Sequence, residues 1–149
     1  MTPSNSPASF RLRKGRTSIP GQIYLVTTTT RERRWVFDDF DAACTLCQTL
    51  HRLAELELVS NLCFVVMPDH LHWLFELGDK HDLSGVVRMA KNNSARALGG
   101  SIWQQGFHDR AIRREADALP AARYIVANPL RSGLVKKVGD YPFWYASWL

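Results

Sequence analysis

The chain has 149 residues, of which 46% are hydrophobic and 22% are charged. This composition excludes a disordered protein, and the length suits one domain with a single sizeable core. No apolar run approaches the roughly 20 residues that span a bilayer, and residues 1–9 lack the apolar centre of a signal peptide. We therefore expect no membrane association and a cytoplasmic location.

The charges are unevenly distributed along the chain, although the net charge is only +5. Residues 1–34 carry seven basic side chains and one acidic one, and residues 88–137 carry ten basic and three acidic. Residues 35–87, between them, carry two basic and nine acidic side chains. Because 14 of the 19 cations are arginine, whose planar fork suits phosphate, the pattern is compatible with a polyanionic partner. Solvated helix faces are the alternative.

The N-terminal segment predicts a basic arm followed by a strand. Residues 1–20 contain three prolines and four cations, so we interpret them as a flexible basic arm, with residues 21–149 forming a single domain. Residues 21–30 are rich in β-branched and aromatic side chains and are expected to form the first strand. Residues 31–34 then form a charged loop.

A helix that continues to about Leu58 is expected next. An aspartate at position 38, 39 or 41 can cap it, and apolar side chains then recur at intervals of three and four. Cys44 and Cys47 form a C-x-x-C pair in this helix, but the one remaining cysteine, Cys63, provides no second pair for a zinc site. We expect reduced thiols packed in the core, with a redox or metal role as the alternative.

A β-hairpin follows, with two histidines at the start of its second strand. Residues 59–67 are almost continuously apolar, which is typical of a central strand. Pro68 and Asp69 make the turn, and residues 70–77 form the third strand. Because side chains alternate along a strand, His70 and His72 are expected to project to the same face.

This pair of histidines is a candidate metal site. Two imidazoles side by side on a sheet face are costly to bury unless something binds them, and a divalent metal is the usual partner. Two histidines also leave coordination positions open, as a catalytic metal requires. Imidazole suits zinc or manganese, whereas magnesium prefers oxygen, so the pattern favours a mixed nitrogen and oxygen site without naming the ion. Histidines satisfied within the core are the alternative.

A second helix and a fourth strand are expected in the next part of the chain. Residues 83–98 form the helix, which ends at two consecutive glycines, and a strand is expected near residues 107–112. Trp103 and Phe107, which precede or begin that strand, could stack on unpaired bases, with core packing as the alternative.

The third helix carries a candidate nucleophile. We expect it over residues 119–128, stopped by Pro129, with an aromatic tail at residues 134–149 that packs back onto the core. Tyr124 and Asn128 are four residues apart, which stacks a hydroxyl and an amide oxygen on one helix face. With a metal at the histidine pair, this arrangement suggests metal-assisted transfer of a phosphoryl group to the tyrosine. The alternatives are a packing tyrosine and a helix-terminating asparagine.

The predicted order is β-α-β-β-α-β followed by the helix that carries Tyr124. This is the ferredoxin-like α+β arrangement, an antiparallel sheet with helices on one face, and the open face of such a sheet is a natural platform for nucleic acid. The candidate nucleic-acid contacts are Arg11, Arg13, Lys14, Arg31, Arg33, Arg34, Arg88, Lys91, Arg96, His108, Asp109, Arg110, Arg113 and Arg131.

Several segments in order along nearly the whole chain resemble the REP-associated tyrosine transposases, a branch of the single-tyrosine HUH transposases. They are residues 24–27 (YLVT), 67–73 (MPDHLHW), 103–110 (WQQGFHDR), 123–135 (RYIVANPLRSGLV) and 140–142 (DYP). Leu25 departs from the pattern, because many members have histidine there, and this puts a contribution of the first strand to the metal site in doubt.

The resemblance implies a role for each residue that matches the motifs. His70 and His72 look like the two-histidine metal motif, Asn128 like its third ligand, and Tyr124 like the nucleophile that cleaves single-stranded DNA. The implied products are a 5′-phosphotyrosine bond to the enzyme and a free 3′-hydroxyl. The implied metal is Mg²⁺ or Mn²⁺, and the implied substrates are imperfect palindromic repeats that fold into hairpins.

The sequence therefore predicts a metal-dependent tyrosine transposase, a single-stranded DNA endonuclease and strand transferase. Its partner is expected to be single-stranded or hairpin DNA, and the chain itself a monomer or a homodimer. Two alternatives stay open: a non-catalytic module that binds hairpin DNA or RNA, and a metal-dependent phosphoesterase that uses water.

Overall fold

The computed structural model describes residues 18–148, so the predicted contacts Arg11, Arg13 and Lys14 lie outside the described residues. Among residues 18–148 no helix combines the length and apolarity needed to cross a membrane. The strands and α-helices, in chain order, are β1 (Ile23–Thr29), α1 (Phe40–Glu55), β2 (Val59–Met67), β3 (His70–Leu77), α2 (Leu83–Ala97), β4 (His108–Ile112), α3 (Ala118–Val126), α4 (Asn128–Arg131) and β5 (Trp144–Ala146).

The strands form one antiparallel sheet in the order β4-β1-β3-β2-β5. The first four strands and the two intervening helices have the predicted β-α-β-β-α-β order, so the ferredoxin-like α+β prediction is confirmed. The fifth strand was not predicted, because three residues are too few for a periodic signal. The fifth strand pairs with β2 and so attaches the C-terminal segment to the edge of the sheet. Tyr141, which precedes β5, provides a second link to β2, because its hydroxyl donates a hydrogen bond to the Val66 carbonyl oxygen.

One face of the sheet packs against α1 and α2, and we call it the α1/α2 face. The indole of Trp73 and the ring of Phe75 in β3 are fully buried in this core beside apolar side chains of both helices, such as Leu46 and Val86. Burying each such side chain stabilises the fold by about 1.5–3 kcal/mol. Polar groups in this core are paired: Nε1 of Trp73 donates to Oδ1 of Asn61 at 2.7 Å.

The opposite face packs against α3, and we call it the α3 face. Small α3 side chains such as Ala121 and Ala122 pack with Cys63, Val65 and Leu74, so the helix can lie close to β2. The expectation of an open face is therefore wrong over β2. Over β1 and β4 the same face lines a groove, described below, because α3 is too narrow to cover five strands.

Two predicted helix boundaries need correction. Asp39 caps α1 by accepting from the Ala42 amide at 2.9 Å, but α1 ends at Glu55 instead of Leu58, because Glu57 adopts a left-handed φ of 62°. Pro129 does not stop the third helix. Helix α3 already ends at Val126, and the proline lies in the first turn of α4, where its missing N–H costs no helical hydrogen bond.

The C-x-x-C pair belongs to the α1 packing surface. Cys44 and Cys47 are half-buried free cysteines, and Cys47 packs against the α1/α2 core. Burial is the main cause that raises the pKa of the Cys47 thiol to about 11, so it is a poor source of thiolate for metal or redox chemistry at neutral pH. These observations favour the core-packing interpretation.

Candidate metal and nucleic-acid site

His70 and His72 lie together on the α3 face at the start of β3. Their ring centroids are 4.8 Å apart and the rings are nearly perpendicular. In the antiparallel pairing Thr29 stands opposite His70 and Thr27 opposite His72, and opposite residues share a face. Both imidazoles therefore project from the face that α3 partly covers, as the alternation of β3 predicted.

The ring of His70 is held by the residue before it. Nδ1 of His70 donates to Oδ1 of Asp69 at 2.7 Å, and Nε of Arg33 donates to Oδ2 of the same carboxylate at 2.9 Å. Burial alone would raise the pKa of Asp69, but the hydrogen bonds from His70 and Arg33 outweigh it and lower the pKa below its usual value. A carboxylate can only accept, so Nδ1 carries the proton, and Nε2 is the ring nitrogen that remains for a metal.

The ring of His72 is held from the neighbouring strand. Its Nδ1 lies 3.1 Å from the Thr27 hydroxyl oxygen. Burial is the main cause that lowers the pKa of His72 to about 4, and the charges of His70 and Arg131 lower it further. His72 is therefore neutral at pH 7, the form that binds a metal, and its Nε2 is the nitrogen that Thr27 does not engage.

The loop after β1 is anchored where Asp69 lies. The Thr30 amide donates to the Asp69 carbonyl oxygen at 3.0 Å, and the Phe37 amide donates to the Pro68 carbonyl oxygen at 2.9 Å. Arg33, which forms the ion pair with Asp69, has a left-handed φ of 54°. For a residue other than glycine, this backbone conformation costs conformational free energy. In this structure it occurs at the residue whose side chain binds Asp69, the carboxylate that holds the His70 ring.

Tyr124 and Asn128 are joined by a single arginine. Nη1 of Arg131 donates to the Tyr124 carbonyl oxygen at 2.7 Å, and Nη2 donates to Oδ1 of Asn128 at 3.0 Å. Cζ of Arg131 also lies 3.8 Å from the centroid of the Tyr124 ring, a cation–π contact worth about 0.5–1 kcal/mol at an exposed site. Arg131 is also one of the charges that lower the pKa of His72, so the arginine that contacts Tyr124 and Asn128 acts electrostatically on the histidine pair.

A groove of about 760 Å³ runs beside Tyr124 between β4 and α3. Leu25, Arg110, Arg113 and Arg114 are among its lining residues. Arg110 stands opposite Leu25 in the pairing of β1 with β4, so it shares the α3 face with the histidine pair. The groove is open and several arginines line it. Tyr124 lies beside the groove, and 65% of its surface is exposed.

The donor set suits a metal only if an amide oxygen takes part. Among residues 18–148, no three side chains of the types His, Cys, Asp and Glu cluster as a metal site. His70 and His72 supply two nitrogens, and the rings are oriented by the contacts of their Nδ1 atoms with Asp69 and Thr27. The candidate oxygen donor is Asn128, whose amide oxygen accepts a hydrogen bond from Arg131, the arginine that also acts electrostatically on His72. Two nitrogens and one oxygen with open positions fit a divalent cation with exchangeable ligands.

The candidate nucleic-acid contacts divide between two regions. Arg31, Arg33 and Arg34 are exposed in the loop beside Asp69, and His108 and Arg110 lie on the α3 face. The α2 contacts belong to the helix that packs on the opposite face, and Lys91 there donates to the carbonyl oxygens of Gln104 and Gly106. The structure therefore groups Arg33, His108, Arg110, Arg113 and Arg131 on or around the α3 face, and it separates Arg88, Lys91, Arg96 and Asp109 from them. Nη1 of Arg31 donates to the Ser101 hydroxyl oxygen in the loop after α2, and Nε of Arg34 donates to the Arg31 carbonyl oxygen.

Base stacking by Trp103 and Phe107 is not compatible with the structure. Each is only 8% exposed and belongs to the α1/α2 core. Nε1 of Trp103 donates to the hydroxyl oxygen of Ser94 at 2.9 Å, which satisfies the one polar atom of the indole. The core-packing alternative is correct for both rings, because their apolar area is more stably buried than exposed.

Two supporting residues were missed at the sequence level. The sequence pattern identifies Asp69 only as a turn residue, although a carboxylate directly before the first histidine of the H-x-H pair is a usable signal. Thr27 lies within a run of four threonines, and only the register of β1 against β3 selects it. The first strand therefore does reach the histidine pair, through Thr27 instead of position 25.

Three comparisons with known proteins bear on this site. Residues 19–126 match the family described as "Transposase IS200 like". A REP-associated tyrosine transposase of Escherichia coli K12 is 40% identical over 83 residues, which is 54% of this chain and 50% of that protein. A relative from Haemophilus influenzae is 28% identical over 99 residues, 56% of each chain. The chain spans about half the length of these relatives.

The fold has a counterpart among solved structures. A REP-associated tyrosine transposase bound to a REP hairpin superposes with a TM-score of 0.75 and 30% sequence identity. The match covers 87% of this chain and 79% of that one. The similarity extends over most of the sheet and helices that carry the candidate site.

Proposed function

The chain belongs to the IS200-like transposase family, and on that premise we propose that it cleaves and rejoins single-stranded DNA at hairpin elements, with Tyr124 as the nucleophile. Its similarity to REP-associated tyrosine transposases, one of them solved with a REP hairpin, supports hairpin DNA as the substrate class. The family match covers residues 19–126 and so includes the histidine pair and Tyr124.

The observation that carries the proposal is that one arginine links two motifs that are separated in the chain. His70 and His72 project from the α3 face, and Arg131 connects the Tyr124 ring and the Asn128 amide to the charge environment of His72. These groups lie more than 50 residues apart in the chain. The electrostatic link through Arg131 between groups so far apart in the chain supports one reaction centre.

A divalent cation, Mg²⁺ or Mn²⁺, would be held by Nε2 of His70, Nε2 of His72 and the amide oxygen of Asn128. When bound, it would supply Lewis-acid polarisation of a phosphate and neutralise developing negative charge. The protein contributes orientation, since Asp69 and Thr27 fix the two rings and burial keeps His72 neutral.

The chemical step exchanges one phosphodiester for another. The Tyr124 oxygen forms a bond to phosphorus, the bond from phosphorus to the 3′-oxygen breaks, the phenol proton passes to solvent, and the leaving 3′-oxygen takes up a proton. The enzyme retains the downstream strand through a 5′-phosphotyrosine link, which stores the bond for later joining. The reverse attack by a 3′-hydroxyl rejoins DNA without a nucleotide cofactor.

The arginine-lined groove is the proposed path of the single strand. Arg110, Arg113 and Arg114 line it beside Tyr124, and guanidinium groups suit the phosphates of a strand that passes the nucleophile. The exposed arginines of the loop after β1 extend the positive charge past Asp69.

One assay separates this proposal from its two alternatives. A hairpin oligonucleotide with single-stranded flanks, labelled at its 3′ end, is incubated with the protein and Mn²⁺, and then denatured. We expect a labelled protein–DNA adduct, and from a 5′-labelled copy a free fragment that a polymerase can extend from its 3′-hydroxyl. Cleavage without an adduct would support the phosphoesterase, and a native complex without cleavage would support the binding module.

Asp69→Asn is expected to weaken Mn²⁺ binding by about 10–100-fold, the usual effect of losing a carboxylate that orients a metal-binding histidine. The amide has the same shape but no negative charge to stabilise the Nδ1–H of His70. Isothermal titration of Mn²⁺ into the protein without DNA measures the effect. Asp79→Asn, in the exposed loop after β3, is the matched control, and equal affinities for the two variants would contradict the role of Asp69.

A further inference from the structure

Arg131 makes contacts that a nucleic-acid-binding arginine on a surface does not need. It lies in α4, directly after α3, and donates to the backbone of Tyr124 and to the side chain of Asn128. Its guanidinium also faces the Tyr124 ring at 3.8 Å. One cation therefore contacts the proposed nucleophile and the proposed oxygen ligand at the same time.

We propose that Arg131 is a catalytic residue that holds the Tyr124 ring for attack and binds the phosphate that Tyr124 attacks. The inference rests on the proposed function and adds to it the group that aligns nucleophile and phosphate. Tyr124 is 65% exposed, so protein packing on its own leaves much of the ring in solvent. A planar cation against one face of the ring limits where the hydroxyl can point.

The guanidinium retains donors for a phosphate. It carries five N–H groups in a rigid fork, and its hydrogen bonds to residues 18–148 use one on Nη1 and one on Nη2. The side chain is exposed, so phosphate oxygens can reach the remaining donors. The arrangement places positive charge beside the phenol, where negative charge gathers on the phosphate during in-line attack.

A simple capping role is the structural alternative. A cation near the end of a helix binds the last carbonyl oxygens and interacts favourably with the helix dipole, and the bond from Arg131 to the Tyr124 carbonyl oxygen is of that kind. A cap, however, would need neither the ring contact nor the bond to Asn128. It also predicts lost stability, whereas a catalytic role predicts a lost rate that a free guanidinium ion can restore.

The test measures adduct formation on the hairpin substrate, under single-turnover conditions with saturating protein, for Arg131→Ala, Arg131→Lys and Arg123→Ala. Arg123 is an exposed arginine of α3, so its replacement removes the same charge from the same region. We expect Arg131→Ala to lower the rate by about 10²–10³-fold and Arg123→Ala to stay close to the unmodified protein. Arg131→Lys should recover only part of the rate, because an ammonium group cannot form the fork.

Chemical rescue completes the test. Methylguanidinium, at concentrations that leave the circular dichroism spectrum unchanged, should raise the rate of Arg131→Ala but not that of Arg123→Ala, and urea at the same concentration should not replace it. If Arg131→Ala forms adduct as fast as Arg123→Ala, or if methylguanidinium and urea act alike on a folded Arg131→Ala, the inference is overturned. If the unmodified protein forms no adduct, the proposed function itself fails.

Discussion

Tyr124→Phe is expected to abolish the covalent protein–DNA adduct and to lower strand cleavage by at least about 10⁴-fold, the scale on which enzymes lose rate with their nucleophile. The substitution removes one oxygen and leaves the ring that contacts Arg131. Because the side chain is largely exposed, no buried hydrogen bond is lost, and hairpin binding should be retained. Adduct on denaturing gels and hairpin affinity by fluorescence anisotropy are the two measurements.

The control is Tyr145→Phe. Tyr145 lies in β5 and its ring stacks on Phe64 of β2, so this variant loses a hydroxyl and leaves the α3 face intact. This variant should form adduct normally. Trypsin cuts after Arg123 and after Arg131, so mass spectrometry of the unmodified protein should find the nucleotide on the peptide of residues 124–131. Nicking by a folded Tyr124→Phe protein would show that the nucleophile is misassigned.

Joint replacement of His70→Ala and His72→Ala should remove both the binding of Mn²⁺ and metal-dependent cleavage. Lewis-acid stabilisation contributes several kcal/mol, and about 1.4 kcal/mol corresponds to a factor of ten in rate, so we expect a loss of about 10³-fold or more. Titration calorimetry with Mn²⁺ measures the first effect independently of the second.

The fold should survive this double substitution, because most core side chains of β3, among them Trp73 and Phe75, point to the opposite face, and Leu74, which packs on the α3 face, is not replaced. Joint replacement of His51→Ala and His81→Ala removes two exposed histidines and serves as the control. Mn²⁺ affinity that is the same in both double variants would contradict the assignment of the metal ligands, whatever happens to cleavage.

The sequence by itself determined most of the elements and the face that His70 and His72 share. Local patterns located β2 and β3 with the bounds that the structure has, and α2 to within one residue. These patterns are the apolar run of β2, the turn at Pro68 and the two glycines after α2. Strict alternation in β3 was enough to place His70 and His72 side by side on one face. These properties depend on neighbours within a few positions, so they can be read from the chain without knowing its path.

Only the tertiary structure decided which partners those residues meet. The register of β1 against β3 selects Thr27 for His72, and the left-handed loop after β1 brings Arg33 onto Asp69. The packing of α3 on the sheet fixes the neighbourhood of Tyr124, and the burial of Trp103 decides between a core and a stacking role. Periodicity states which side of an element a residue occupies, whereas contacts between segments far apart in the chain depend on how all the elements pack at once.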